Sequence, residues 1–109
     1  MPNNFKVKTS GSIGTSAHTI YVCPTGTQTT VIGLNLANIL TTGITATVAF
    51  ENADSDDISI IKNAPIPTGS ALAPIGGTQK LVMEAGDILK VSSSDSASID
   101  CAISVLEVS

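Results

Sequence analysis

Aromatic side chains are nearly missing from this sequence: Trp is absent, and Phe5, Tyr21 and Phe50 make up an aromatic share of 3%. That excludes the stacking platforms with which sugar-binding faces and single-stranded nucleic-acid grooves hold their ligands. Positive charge is also scarce. Five Lys and Arg stand against nine Asp and Glu, for a formal net charge of −4. No cation cluster is available to displace counterions from a phosphate backbone, so nucleic acid is excluded as a partner. One histidine, His18, and two cysteines, Cys23 and Cys101, are too few for a zinc set or for metal-oxygenase chemistry on a jelly-roll frame. A hydrolytic triad would have to use His18, which falls at a loop–strand junction, where a surface imidazole is the simpler reading. No run approaches the ~20 apolar residues of a membrane span, and MPNNFKVKTSGS at the N-terminus has no apolar signal core. The expectation is a cytosolic protein without membrane contact.

What the sequence does contain is small and apolar. Hydrophobic residues make up 42% of the 109 and charged residues 13%, the latter about half the usual share. A chain of this length forms one domain and buries only roughly two-thirds of the surface its unfolded form exposes. Val, Ile, Leu and Ala must fill a thin core, and self-association is the natural remedy for marginal stability. Large neutral surfaces are available as interfaces.

Short apolar runs ended by turn residues point to strands throughout. Phe5, Val7 and Thr9 alternate weakly before the linker-like SGSIGTSA, which predicts an N-terminal arm over residues 1–17 and a β domain over 18–109. The arm is expected to be pinned either by its own domain or, as an intersubunit clasp, by a neighbour. His18–Cys23 is rich in β-branched residues and stops at Pro24. Thr29–Asn38 and Ile44–Glu51 both alternate with period two, and they are expected to pair as neighbours. After an acidic turn at Asn52–Asp57 comes a strand at Ile58–Lys62. Pro65 and Pro67 would each delete a ladder bond, which marks an edge or a crossing between sheets.

Ser70–Ile75, Gln79–Met83, Ile88–Ser93 and Ser98–Val108 complete about eight short strands at the turn spacing of an all-β sandwich. Gly86 in the turn Glu84–Asp87 supplies a positive φ and predicts a hairpin between the strands on either side. Ile99, Cys101, Ile103 and Val105 share one face of the last strand, and Leu106 and Val108 make its end apolar on both faces, as in a central strand or a covered edge. Cys23 and Cys101 read as buried thiols, with a single bridge between them as the alternative.

None of the remaining motifs amounts to a site. Asp54-Ser55-Asp56-Asp57 places carboxylates like the start of a calcium loop but lacks the sixth-position glycine and the distal glutamate, so it reads as a solvated turn. Asp87 is a turn former whose side chain accepts from nearby amides. Gly11–Gly14 and Gly76–Gly77 precede strand patterns, not a helix N-terminus, and cradle no phosphate. No catalytic, cofactor-binding or metal-binding residue is nominated, and no enzymatic activity is expected.

Over nearly its whole length the chain resembles small all-β virion structural proteins of tailed bacteriophages, cyanophages especially. The likeness is carried by NNFK, SIGTSAHTIYVCP, TTVIGLNLANI, IIKNAPIPTGSAL, GGTQKLVMEAGDILKVSSS and SIDCAISVLEVS. The chain departs from that pattern at Pro74 and Cys101. The resemblance implies a two-sheet antiparallel β-sandwich, jelly-roll-like, present on the virion in many symmetric copies. The expected role is capsid decoration: a cement protein binding the major capsid protein lattice, preferably as a homotrimer, after assembly in the host cytoplasm. A neck, tail or fibre-base component is the alternative, and a host-glycan-binding module is a weaker one.

Overall fold

The computed structural model describes residues 3–52, 54, 56–75 and 80–108. Among these the chain is all β, with nine strands: β1 (Asn3–Ile13), β2 (His18–Val22), β3 (Gln28–Asn38), β4 (Ile44–Glu51), β5 (Asp57–Ile66), β6 (Ala71–Ile75), β7 (Leu81–Met83), β8 (Ile88–Ser93) and β9 (Ile99–Val108). They form two antiparallel sheets. One runs β1-β9-β3-β6, with β7 also on β3, and the other runs β2-β8-β4-β5. This is the strand order of a jelly roll, with its sixth strand split into β6 and β7 on the same edge of β3.

Period-two burial explains why these segments are strands and which way each faces. Along β9, Ile99, Cys101, Ile103 and Val105 are buried while Asp100 and Ser104 are exposed. Across the sandwich, Ile44, Ala46 and Val48 of β4 and Leu89 and Val91 of β8 close the core from the other side. β9 lies between β1 and β3, which accounts for its largely apolar end.

Residues 3–13 are pinned by their own domain, the first of the two expected anchors, and they are a strand of the first sheet. β1 pairs antiparallel with β9 from Asn3 opposite Val108 to Ser10 opposite Cys101, then bulges before Ile13 meets Ile99. Residue 17 therefore closes a connector from β1 to β2, and no arm-to-domain boundary falls there. The weak alternation of Phe5, Val7 and Thr9 reflects an edge strand, where burial does not enforce a pattern. At the bulge, Ser12 takes a φ of 55°, and its amide donates to Asp100 Oδ1 at 3.0 Å.

Two expected pairings are overturned. β3 and β4 lie in facing sheets, so they are not neighbours. Alternation reports which face of a strand is buried, and it is silent about which strand lies alongside. Asn38 builds the crossing between them: Nδ2 donates to Thr42 O at 2.9 Å and Ile66 O at 3.0 Å, and Oδ1 accepts from the Leu40 amide at 2.8 Å.

The turn Glu84–Asp87 is likewise a corner and not a hairpin, because β7 pairs with β3 whereas β8 pairs with β2 and β4. Its local chemistry is as expected. Gly86 has φ 89°, and Asp87 Oδ2 accepts from the Glu84 amide at 2.8 Å. The corner is also tied to the end of β2, through Gly86 N to Cys23 O at 3.0 Å and Cys23 N to Asp87 O at 2.9 Å.

The expected break at Asn63–Pro67 falls inside β5, which continues to Ile66 with Pro65 opposite Thr45. β5 is an edge strand, so the missing Pro65 N–H removes no ladder bond from a neighbour. Asn63 absorbs the irregularity at φ 52°, where Asn is one of the better-tolerated residues. Its amide donates to Thr47 Oγ1 at 3.1 Å. Pro74 lies within β6, which is also an edge strand. Gly76, Gly77 and Gln79 lie outside the described residues.

Candidate functional site

On one side of the sandwich the edge strands β1 and β2 face each other, and the space between them is a groove of about 320 Å³ bordered by Lys6, Lys8, Tyr21, Val22, Pro24 and Glu107. Strand register puts the charges there. Lys6 pairs with Val105 and Lys8 with Ile103; both partners are fully buried, and directly opposed residues share a sheet face. The two lysines therefore project toward the sandwich interior at its open margin. Glu107, two residues beyond Val105, follows the same inward alternation and is only 6% exposed.

Glu107 is held from three elements. Lys6 Nζ lies 2.8 Å from its Oε1. The Tyr21 hydroxyl donates to its Oε2 and sits 2.8 Å from Thr29 Oγ1. The Lys6 ammonium first, then the Tyr21 hydroxyl, hold the Glu107 carboxyl below the usual range against the opposing effect of burial. Burial first, then the bond to Glu107, pushes the Tyr21 phenol well above its ordinary value. Tyr21 is therefore a fixed donor, and Glu107 a fixed anion. Among the described residues Lys8 forms no ion pair.

The outer face of the same sheet carries the second feature. Phe5 opposes Leu106, Leu106 opposes Thr30, and Thr30 opposes Val82, so these four residues form one row across β1, β9, β3 and β7. Phe5 is 76%, Val7 63% and Val82 60% exposed. Exposed apolar side chains gathered on one sheet face are candidates for contact with other molecules.

The residues weighed from sequence are not brought together. His18 is exposed at the start of β2, opposite Val91. In the acidic turn, Asn52 Oδ1 accepts from the amides of Asp54 at 2.9 Å and Asp56 at 3.0 Å, and Asp57 pairs with Lys90 at 3.2 Å. Backbone organisation and an ion pair account for that turn; Ser55 lies outside the described residues. Among the described residues no group of three or more His, Cys, Asp or Glu side chains is placed to hold a metal ion.

Cys23 and Cys101 are both buried and unbridged. Cys23 Sγ lies 3.3 Å from Thr27 O and from Thr29 Oγ1, and burial pushes the Cys101 thiol up to about 11. The Ser93 and Ser98 hydroxyls bond to one another. Ser98 Oγ also donates to Asp95 O at 2.8 Å, which closes the β8–β9 turn.

Sequence reading missed Glu107 and its ties to Lys6 and Tyr21. The signal was present: alternation from Ile99 through Val105 places residue 107 inward, and a carboxylate there requires buried partners.

The fold and these surfaces define a jelly-roll β-sandwich with a polar cleft on one side and an outer sheet face that carries exposed apolar side chains. No protein-family model and no curated protein matches the sequence. Among solved structures the chain is similar to a subunit of the Bacillus endospore appendages, described as a novel family of disulfide-linked pili. The two share 12% identity at a TM-score of 0.58, over 97% of this chain and 85% of that one. At that identity the likeness is one of fold.

Proposed function

We propose that this protein is a structural subunit that works by adhesion within a multi-copy assembly. Following the phage-virion resemblance of its motifs, the assembly is the head of a tailed bacteriophage, with the chain as a decoration protein on the major capsid lattice. The observation that carries the adhesive role is the outer row Phe5–Leu106–Thr30–Val82, with Phe5 and Val82 mostly exposed. Side chains of this kind, left in water on a small domain, favour contact with another subunit.

The solved structure of similar fold belongs to endospore appendages described as pili, so a frame of this kind occurs in a repetitive assembly. That is an analogy of architecture. The covalent linkage named for those pili has no counterpart in exposed thiols here, since both cysteines are buried. Cohesion in this protein is therefore assigned to shape-matched contacts multiplied by copy number.

Mass-spectrometric stoichiometry of purified particles, followed by localisation in a reconstruction, tests the reading. A copy number near that of the capsid subunits, with density on the shell, supports decoration. A low copy number at the neck or tail overturns that position while keeping a structural role, and absence from particles overturns the virion assignment.

A further inference from the structure

We propose that the edge of β1 left unpaired among the described residues accepts an extended segment of a partner protein in which carboxylates alternate with apolar residues, lengthening the first sheet by one strand. The inference rests on the adhesive role proposed above and names the surface and the partner's chemistry.

β1 is the edge best suited to such an addition. It keeps unbroken register with β9 from Asn3 to Ser10 and contains no proline. The competing edges are each blunted. β2 spans His18–Val22 with a register shift after Thr19. β5 carries Pro65 and two shifts, β6 contains Pro74 and a shift, and β7 covers only Leu81–Met83. Unpaired amides and carbonyls along a long regular edge are a template for another strand.

Side chains then decide which strand fits. Phe5 and Val7 stand on the outer face, 76% and 63% exposed, and favour apolar neighbours. Lys6 and Lys8 stand on the inner face beside the groove. A second copy is disfavoured: in antiparallel registers that pair mid-strand and keep Phe5 and Val7 on one face, lysine meets lysine, and opposed like charges destabilise a sheet pair. Lys6 is already engaged by Glu107, which leaves Lys8 as the cation for an incoming carboxylate. Inward lysines on an edge thus reject strands like their own and admit an acidic one.

The test uses the full chain with two acetylated decapeptides, one alternating Glu and Val and the other alternating Lys and Val. Affinity is read by fluorescence anisotropy, and the site by amide hydrogen exchange. The acidic peptide is expected to bind about tenfold or more tightly than the basic one and to slow exchange along β1. Lys8→Glu is expected to reverse that order, and Lys8→Gln, which sets no second negative charge beside Glu107, is expected to erase it. Equal affinities, no binding, an order that Lys8→Glu leaves unchanged, or protection along β2, β5 or β6 instead would each overturn the proposal. Particle composition is measured separately, so failure of the edge and failure of the virion reading are distinguishable.

Discussion

The Tyr21 hydroxyl donates a hydrogen bond to the Glu107 carboxylate across the sandwich, joining β2 of one sheet to β9 of the other. Most of the remaining contact between the layers is made by side chains such as Leu34, Val48, Leu89 and Ile103, whose packing is non-directional, and the Asn38 bond to Ile66 O is a second directional tie at the crossing. This bond, with Lys6 and Thr29 on the same cluster, fixes how the layers sit relative to one another at the groove.

Tyr21→Phe should therefore cost about 1.5–3 kcal/mol, because it strips a buried carboxylate of a donor. Glu107→Gln should cost less, since the amide oxygen still accepts from Tyr21. The double variant should fall short of the sum, with coupling on the order of 0.5–3 kcal/mol. Urea unfolding of the four proteins checks this, and strict additivity would show that the two groups do not interact.

Acid should act through the same carboxylate. Its folded pKa is depressed, by Lys6 first and then by Tyr21. The folded state thus binds the Glu107 proton less readily than the unfolded chain does. Its contribution to stability is complete above the ordinary glutamate value, about 4.3, and is lost as pH falls through the lower folded value. Glu107→Gln should flatten the acid limb of the stability profile, measured as the urea midpoint at successive pH values.

Much of the fold was legible because burial imposes period two. Ile99 to Val105 and Ile44 to Val48 announce their inward faces, and both coincide with observed strands. Pairing was not legible in the same way. The loop after Asn38 and the corner at Gly86 have the composition of hairpin turns, yet both carry the chain from one sheet to the other. Sheet choice depends on long-range packing that a local pattern does not encode. β1 has the sequence of an arm for the opposite reason: an edge strand with Lys6 and Lys8 on its inner face breaks the apolar alternation that reveals a strand. The candidate surfaces were legible only in part, since the row from Phe5 to Val82 joins residues distant in sequence through register alone.

Asn38 should be the most sensitive polar position of the crossing. Its side chain satisfies the Thr42 and Ile66 carbonyls and the Leu40 amide. Asn38→Ala should cost about 2–4 kcal/mol by orphaning these groups, at roughly 1–3 kcal/mol for each that stays dry. Asn38→Asp should be nearly as damaging, because it sets a carboxylate against two carbonyl oxygens. A loss of under about 0.5 kcal/mol in thermal unfolding of Asn38→Ala would mean that water replaces the amide.

The thiols should be silent in the native protein. Cys23 and Cys101 are buried and unbridged, and the thiolate is the reactive form. A thiol reagent at neutral pH should label neither until denaturant is added, and the intact mass should equal that of the reduced chain. For Cys101, raised to about 11, the folded state keeps a proton that the unfolded chain releases near 8.5. Its contribution is complete below about 8.5 and is lost as pH rises toward 11. Cys101→Val should remove that part of the alkaline decline in stability.

The outer sheet face should matter for association and not for folding. Phe5, Val7 and Val82 project mostly into solvent, so replacing Phe5 and Val82 with Ser removes little native burial. Each change should alter stability by no more than about 0.5 kcal/mol. If the row Phe5–Leu106–Thr30–Val82 forms the core of a contact between subunits, the same double variant should shift sedimentation toward the monomer and lower occupancy on particles. Truncating large side chains at the centre of an interface commonly costs about 2 kcal/mol or more. Unchanged assembly with unchanged stability would assign adhesion to another face of the sandwich; lost stability would show that the row packs within the fold.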